Sequence, residues 1–162
     1  MQPSKLATKR TPKGDKPADA FGQREMDRYL AKLSGPLIDR IDIHVEVPKV
    51  PYQQLTGQRT GSTSADLRQQ VLNARAVQHH RNGGPLKRNA VLTGRELDEY
   101  AALDDAGKDV LKQAMTELGL SARAYDKVRR LARTIADLDN SDQVQLSHVA
   151  EAISYRLLDR ER

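Results

Sequence analysis

Apolar positions recur most regularly at residues 122–138, where Tyr125, Val128, Leu131, Ala132 and Ile135 fall at helical spacing behind Ser121, a capping residue. This predicts a helix from Ala122 to Leu138, with Arg123, Lys127, Arg130 and Arg133 around its other side, of which Lys127 to Arg133 read as an ordinary solvated face. Ser62 or Ser64 caps an earlier helix with Leu67, Val71, Leu72, Ala74 and Val77 on one face. That helix ends near His79-His80-Arg81, ahead of Asn82-Gly83-Gly84-Pro85, and the two histidines suit the negative end of its dipole better than they suit a metal. Thr93-Gly94-Arg95-Glu96 has capping-box spacing and opens a short helix to about Ala102. Asp104 or Asp105 opens the next, with Val110, Leu111, Ala114, Met115 and Leu118 as its stripe and Gly119 as its stop. Ser147 marks the start of a last helix containing Val149, Ala152, Ile153 and Leu157.

The pattern changes upstream. Met26, Tyr29, Leu30 and Leu33 predict a helix within residues 21–33, stopped by Ser34-Gly35-Pro36. Ile41, Ile43, Val45 and Val47 then alternate with Asp42, His44 and Glu46, which predicts one half-buried strand ending at Pro48. No second strand follows, so its backbone groups need a partner from outside this sequence. Asp42, His44 and Glu46 share a side with metal-ligand chemistry, but alternation alone produces that arrangement, and no metal site is assigned.

Composition sharpens this picture. Of 162 residues 30% are charged and 4% aromatic, with no Trp, which suits a helical, surface-rich module better than a β-sandwich. Residues 1–20 are rich in Lys, Pro, Gly and Asp and read as a disordered basic tail. Residues 51–63 read as a polar linker. The net charge of +5 favours a polyanionic partner, although acidic residues dilute it along most of the chain. Lys87 and Arg88, in the loop before Asn89, are candidate nucleic-acid contacts, without an interleaved aromatic for base stacking. The absence of Cys excludes disulfides and thiolate metal sites and fits a cytoplasmic protein. No apolar run reaches the roughly 20 residues that span a bilayer, so no membrane partner is expected.

Two arginines do not fit the bland account. Arg40 stands at the mouth of the predicted strand, where packing asks for no cation; a salt bridge to Asp39 or Asp42 would explain it locally. Arg123 stands in the first turn of a helix, whose N-terminus is already partly positive, so an exposed cation there is unfavourable unless an anion faces it.

The stretches Leu33-Ser34-Gly35-Pro36-Leu37-Ile38-Asp39-Arg40-Ile41-Asp42, Leu120-Ser121-Ala122-Arg123-Ala124-Tyr125-Asp126 and His148-Val149-Ala150-Glu151-Ala152-Ile153-Ser154-Tyr155-Arg156 carry a resemblance. Together they resemble the C-terminal part of magnesium-chelatase-like AAA+ ATPases of the ComM/YifB type. The resemblance implies a mainly α fold: a C-terminal helical lid over residues 64–162, preceded at 21–50 by one helix, the arginine-finger turn and the last strand of an AAA+ core. It implies that Arg40 is an arginine finger acting in trans on the phosphates of a neighbouring subunit, and that Arg123 is sensor 2, touching nucleotide from the subunit's own lid. A guanidinium is permanently charged and bidentate, as transferring phosphoryl groups require.

No G-x-x-x-x-G-K-[ST] sequence is present, and Gly83-Gly84-Pro85-Leu86-Lys87 has the wrong spacing for a phosphate cradle. Alone, the chain is therefore expected to hydrolyse nothing and to bind no cofactor tightly. ATP and Mg²⁺, the rest of the AAA+ core and a homo-oligomeric ring, expected to be hexameric, belong to a full-length protein acting in DNA remodelling or branch migration. The cysteine cluster that many relatives carry before the finger turn is missing between Gly14 and Arg28, so no zinc site carries over. Two other classes stay open: a stand-alone basic helical module binding DNA or protein, and a subunit of a metal-chelatase complex.

Overall fold

A computed structural model describes Arg28, Leu37, residues 40–45, Val47 and residues 61–156. The chain divides into two units, Met1–Ile38 and Asp39–Arg162, and every feature below belongs to the second. The predicted tail and most of the linker and of the helix at 21–33 lie outside the described residues, as do Glu46 and Leu157.

Five α-helices make up the described part: α1 (Ser64–Asn82), α2 (Gly94–Tyr100), α3 (Asp105–Glu117), α4 (Ala122–Leu138) and α5 (Leu146–Ser154), with a 3-10 turn at Asn89–Val91 between the first two. The mainly α expectation holds; α2, α3 and α4 begin where capping chemistry placed them, and the cap of α1 lies between the two serines expected. Thr63 accepts from the Asp66 amide at 3.2 Å while the Asp66 carboxylate accepts from the Thr63 amide at 3.0 Å, a capping box one residue from either serine proposed. The Glu96 carboxylate takes the Thr93 amide at 3.1 Å. Asp104 accepts from Gly107 at 2.7 Å, and Ser121 accepts from Ala124 at 3.2 Å. The start of α5 differs, because Gln145 rather than Ser147 is the cap and its amide donates to His148 Nδ1 at 3.0 Å. Gly83 (φ 82°) ends α1 and Gly119 (φ 62°) follows α3, both in the left-handed region that glycine enters without strain.

Helix α4 is the central rod: α1, the 3-10 turn, α2 and α5 pack on it, and α3 packs on α5. The core gathers Leu92, Leu97, Ala101, Leu111, Val128, Ala132, Ile135, Val144, Val149 and Ala152. A lone parallel bridge between Leu103 and Val144 ties the loops before α3 and α5.

Three expectations need correction. Along α1 the buried positions are Ala74, Gln78 and Asn82, while Leu67, Val71, Leu72 and Val77 are exposed. The polar pair is drawn inward by bonds to the loop that follows, Asn82 Nδ2 to the Lys87 carbonyl at 2.9 Å and the Asn89 amide to Gln78 Oε1 at 3.4 Å. The charged side of α4 is not uniformly solvated either, since Arg133 is only 1% exposed, against Asp137 one turn later. Finally, residues 40–45 and Val47 form no strand, and Ile41, Ile43, Val45 and Val47 are exposed rather than half-buried. Among the described residues the segment meets the helices instead, the His44 amide donating to the Tyr155 carbonyl at 2.9 Å.

Candidate functional site

A cavity of about 620 Å³ opens where residues 40–43 pass α4. Small-molecule sites commonly occupy roughly 300–1,000 Å³. Residues three and four apart share a helix face, and Arg123, Lys127, Arg130 and Thr134 form such a row down α4 along one wall. Arg40 and Asp42 face them, with Ile43, Ala90 and Leu131 supplying apolar surface. Among the described residues, four cations thus meet one carboxylate.

These cations are not equivalent. Lys127 Nζ pairs with Asp42 Oδ1 at 2.7 Å, so the carboxylate once considered for Arg40 is already engaged. Arg130 Nε donates to the Leu92 carbonyl at 2.9 Å, and its far end approaches Asp126 only to 3.9 Å. Arg40 and Arg123 are both exposed at their residue level, and neither has a hydrogen-bond or ion-pair partner among the described residues. Two fork-shaped donors therefore reach the cavity with their bonding capacity unused.

Behind this wall lies a buried ionic network. Arg81 clasps Asp137 with two bonds, at 2.7 and 2.9 Å, and Arg133 reaches the same carboxylate at 2.8 Å. Asn89 Nδ2 donates to Asp137 Oδ2 at 2.7 Å and to the hydroxyl of Thr134, a cavity residue, at 3.1 Å. Burial alone would raise the Asp137 carboxyl, but the Arg81 and Asn89 hydrogen bonds and the charge of Arg133 hold it below its ordinary value. Burial pushes Arg133 down, opposed by Asp137. Arg133 also donates to the carbonyls of Ser141 (2.5 Å) and Asp142 (2.8 Å). The network pins α1, the 3-10 turn, the α4–α5 loop and the row of cavity cations in one arrangement.

Arg40 and Arg123, singled out separately in the sequence, are thus brought to one cavity. Lys87 and Arg88 are elsewhere: Lys87 is paired with Glu96, which raises its ammonium and lowers the carboxyl, and Arg88 is exposed. Sequence reasoning missed Lys127 and Arg130 as cavity residues. Their 3- and 4-residue spacing after Arg123 was a usable signal, obscured because the same spacing produces any solvated helix face.

Comparison with known proteins decides the family. Residues 61–156 match the family described as magnesium chelatase, subunit ChlI C-terminal, and residues 5–55 match magnesium chelatase, subunit ChlI. The chain belongs to the magnesium-chelatase family. It is 42% identical to the Competence protein ComM of Haemophilus influenzae over 85% of this chain. It is 40% identical to the uncharacterized protein YifB of Escherichia coli over 82% of the chain, and 34% identical to an uncharacterized protein of Mycobacterium tuberculosis over 80%. The chain spans about a quarter of these relatives, 26% of each. It corresponds to the C-terminal part of a ComM/YifB-type member, as the three motifs implied. Among the described residues, no helix is long and apolar enough to cross a membrane.

Proposed function

We propose that this chain is the phosphate-sensing C-terminal part of an AAA+ ATPase, with Arg40 as arginine finger and Arg123 as sensor 2. The observation that carries the reading is the convergence of these two unpartnered guanidiniums on one cavity with Lys127 and Arg130. A polyphosphate entering there relieves the mutual repulsion of the cations and fills both forks at once. In transfer of a γ-phosphoryl group, charge spreads over the equatorial oxygens, and positioned guanidiniums stabilise that charge better than the ground state. The cavity's one carboxylate, Asp42, is held by Lys127, so the Mg²⁺ that accompanies ATP draws its ligands from the nucleotide-binding core of a full-length protein. That core is expected to assemble as a homo-oligomeric ring, hexameric in our reading, and to couple hydrolysis to the remodelling or branch migration of DNA.

The test is subunit mixing in the full-length protein. Arg40→Ala subunits are combined with subunits whose own nucleotide loop is disabled. A finger acting in trans restores part of the turnover, since some interfaces then pair an intact loop with an intact Arg40. Because Arg123 shares the cavity, Arg123→Ala subunits are expected to complement in the same way, so that in this reading sensor 2 meets the neighbour's nucleotide rather than, as the resemblance implied, that of its own subunit. Complementation by Arg40→Ala alone would return Arg123 to its own subunit's nucleotide. If Arg40→Ala leaves turnover unchanged and mixed rings regain nothing, the finger reading is wrong.

A further inference from the structure

Arg40 is exposed, and the segment after it is not held in a sheet. Something else must fix it in space. Arg156, only 1% exposed just beyond the end of α5, donates through Nη1 to the Ile41 carbonyl, on the residue that follows Arg40. The neighbouring Tyr155 carbonyl accepts the His44 amide at 2.9 Å. From α4, Lys127 Nζ approaches the same Ile41 carbonyl at 3.5 Å and holds Asp42 at 2.7 Å. Residues 41–44 are therefore tied to the turn after α5 by two backbone groups, and to Lys127 of α4 through the Ile41 carbonyl and the Asp42 side chain, and Lys127 lies one turn from Arg123.

We propose that Arg156 is a positioning residue which, through the Ile41 carbonyl, fixes Arg40 relative to Arg123, so that the two guanidiniums move as a unit. The proposal rests on the reading of Arg40 as an arginine finger for its functional consequence, although the tie itself does not. A buried guanidinium suits this task because its charge strengthens the bond to a backbone carbonyl and its planar fork resists rotation. The consequence is coupling: displacement of α4 and α5 on binding phosphate carries the finger with it, and a misplaced finger loses rate without losing affinity.

The chain has no cysteine, so paired spin labels are specific. Labels at Arg40→Cys and Arg123→Cys report the separation in this chain without reference to activity. A single narrow distance distribution is expected, broadening with Arg156→Met and recovering with Arg156→Lys, which keeps a donor. The His44 amide is expected to exchange about tenfold faster in Arg156→Met. In the full-length protein, Arg156→Met should lower kcat about 100-fold, as for an ~1 Å misplacement, while KM for ATP stays within about twofold. If Arg156→Met does not fold, His44→Pro carries the test, because it deletes the amide that Tyr155 accepts while leaving the helices intact, with His44→Ala as control. A distribution that stays narrow in the folded variant overturns the proposal, as does a fall in kcat that Arg156→Lys does not partly reverse. A broadened distribution together with an Arg40→Ala variant of normal turnover would uphold the tie and remove the finger.

Discussion

Replacing Asp137 by Asn changes one oxygen for an amide nitrogen and nothing in shape, so the consequence is electrostatic. The carboxylate side chain has no exposed surface and receives two bonds from Arg81, at 2.7 and 2.9 Å, one from Asn89 at 2.7 Å, and Arg133 at 2.8 Å. In the variant, the guanidiniums of Arg81 and Arg133 face each other without a counter-charge, and the new NH₂ points at groups that only donate. Breaking a buried pair by neutralising one partner costs ~3–5 kcal/mol. For a helical unit of this size ~1 kcal/mol moves Tm by 4–8 °C, so the drop is on the order of 15–30 °C. Urea unfolding followed by far-UV circular dichroism at pH 7 measures it. Replacing Asp137 and Arg133 together by Leu and Met should cost less than Asp137→Asn alone, since it leaves Arg81 alone at the outer edge. The pH dependence has a definite sign. The folded carboxyl lies below its usual 3.8, so its contribution is complete above that value and is lost as pH falls through the folded value. The gap between wild type and Asp137→Asn therefore narrows below about pH 4. A loss under ~1 kcal/mol at pH 7, or a gap that widens in acid, would refute the network as the brace of the unit.

Other outcomes follow from the same geometry. The purified chain should show no ATPase activity above background and at best ~1 mM affinity for ATP, because no glycine-rich phosphate cradle is present; measured turnover would contradict this. Amides of residues 40–43 should exchange faster than those of α3 and α4, as segments without a hydrogen-bonded ladder do, and equal protection by mass spectrometry would reveal a pairing edge. Gly119→Ala should cost ~1 kcal/mol through the left-handed backbone alone, since a Cβ there meets nothing within 4 Å.

What the sequence disclosed depended on whether the cause was local. The capping of α2 to α4 was readable because each cap and its partner lie three residues apart, and the stripe of α4 because 3.6 residues make a turn. Arg133 was misread because its burial is set by Arg81, which lies 56 residues from their common partner Asp137. Gln78 and Asn82 went inward, ahead of Val77, for a similar reason: the loop through Lys87 and Asn89 brings them backbone groups to satisfy. Period-2 alternation at residues 41–47 misled because its apolar positions are exposed, and the described residues there form no strand.

The candidate site was legible for the opposite reason, since its residues violate local preference. Arg123 sits in the first turn of α4, where the helix dipole disfavours a cation by a few tenths of a kcal/mol or more. Its side chain is then placed with Lys127, Arg130 and Arg40 around one cavity, whose single carboxylate neutralises only part of their charge. Neighbouring helices could have offered Arg123 or Arg40 a carboxylate, as Asp98 is offered to Arg129 at 2.9 Å. They do not, and the row on α4 is instead braced from behind by Asn89, Thr134 and Asp137. A fold that pairs Arg81 and Arg133 with Asp137 and Arg129 with Asp98, yet leaves the guanidiniums of Arg40 and Arg123 without a partner among the described residues, keeps that cavity electropositive. Under the function proposed above, a phosphate chain is the anion that would fill the forks of Arg40 and Arg123 together.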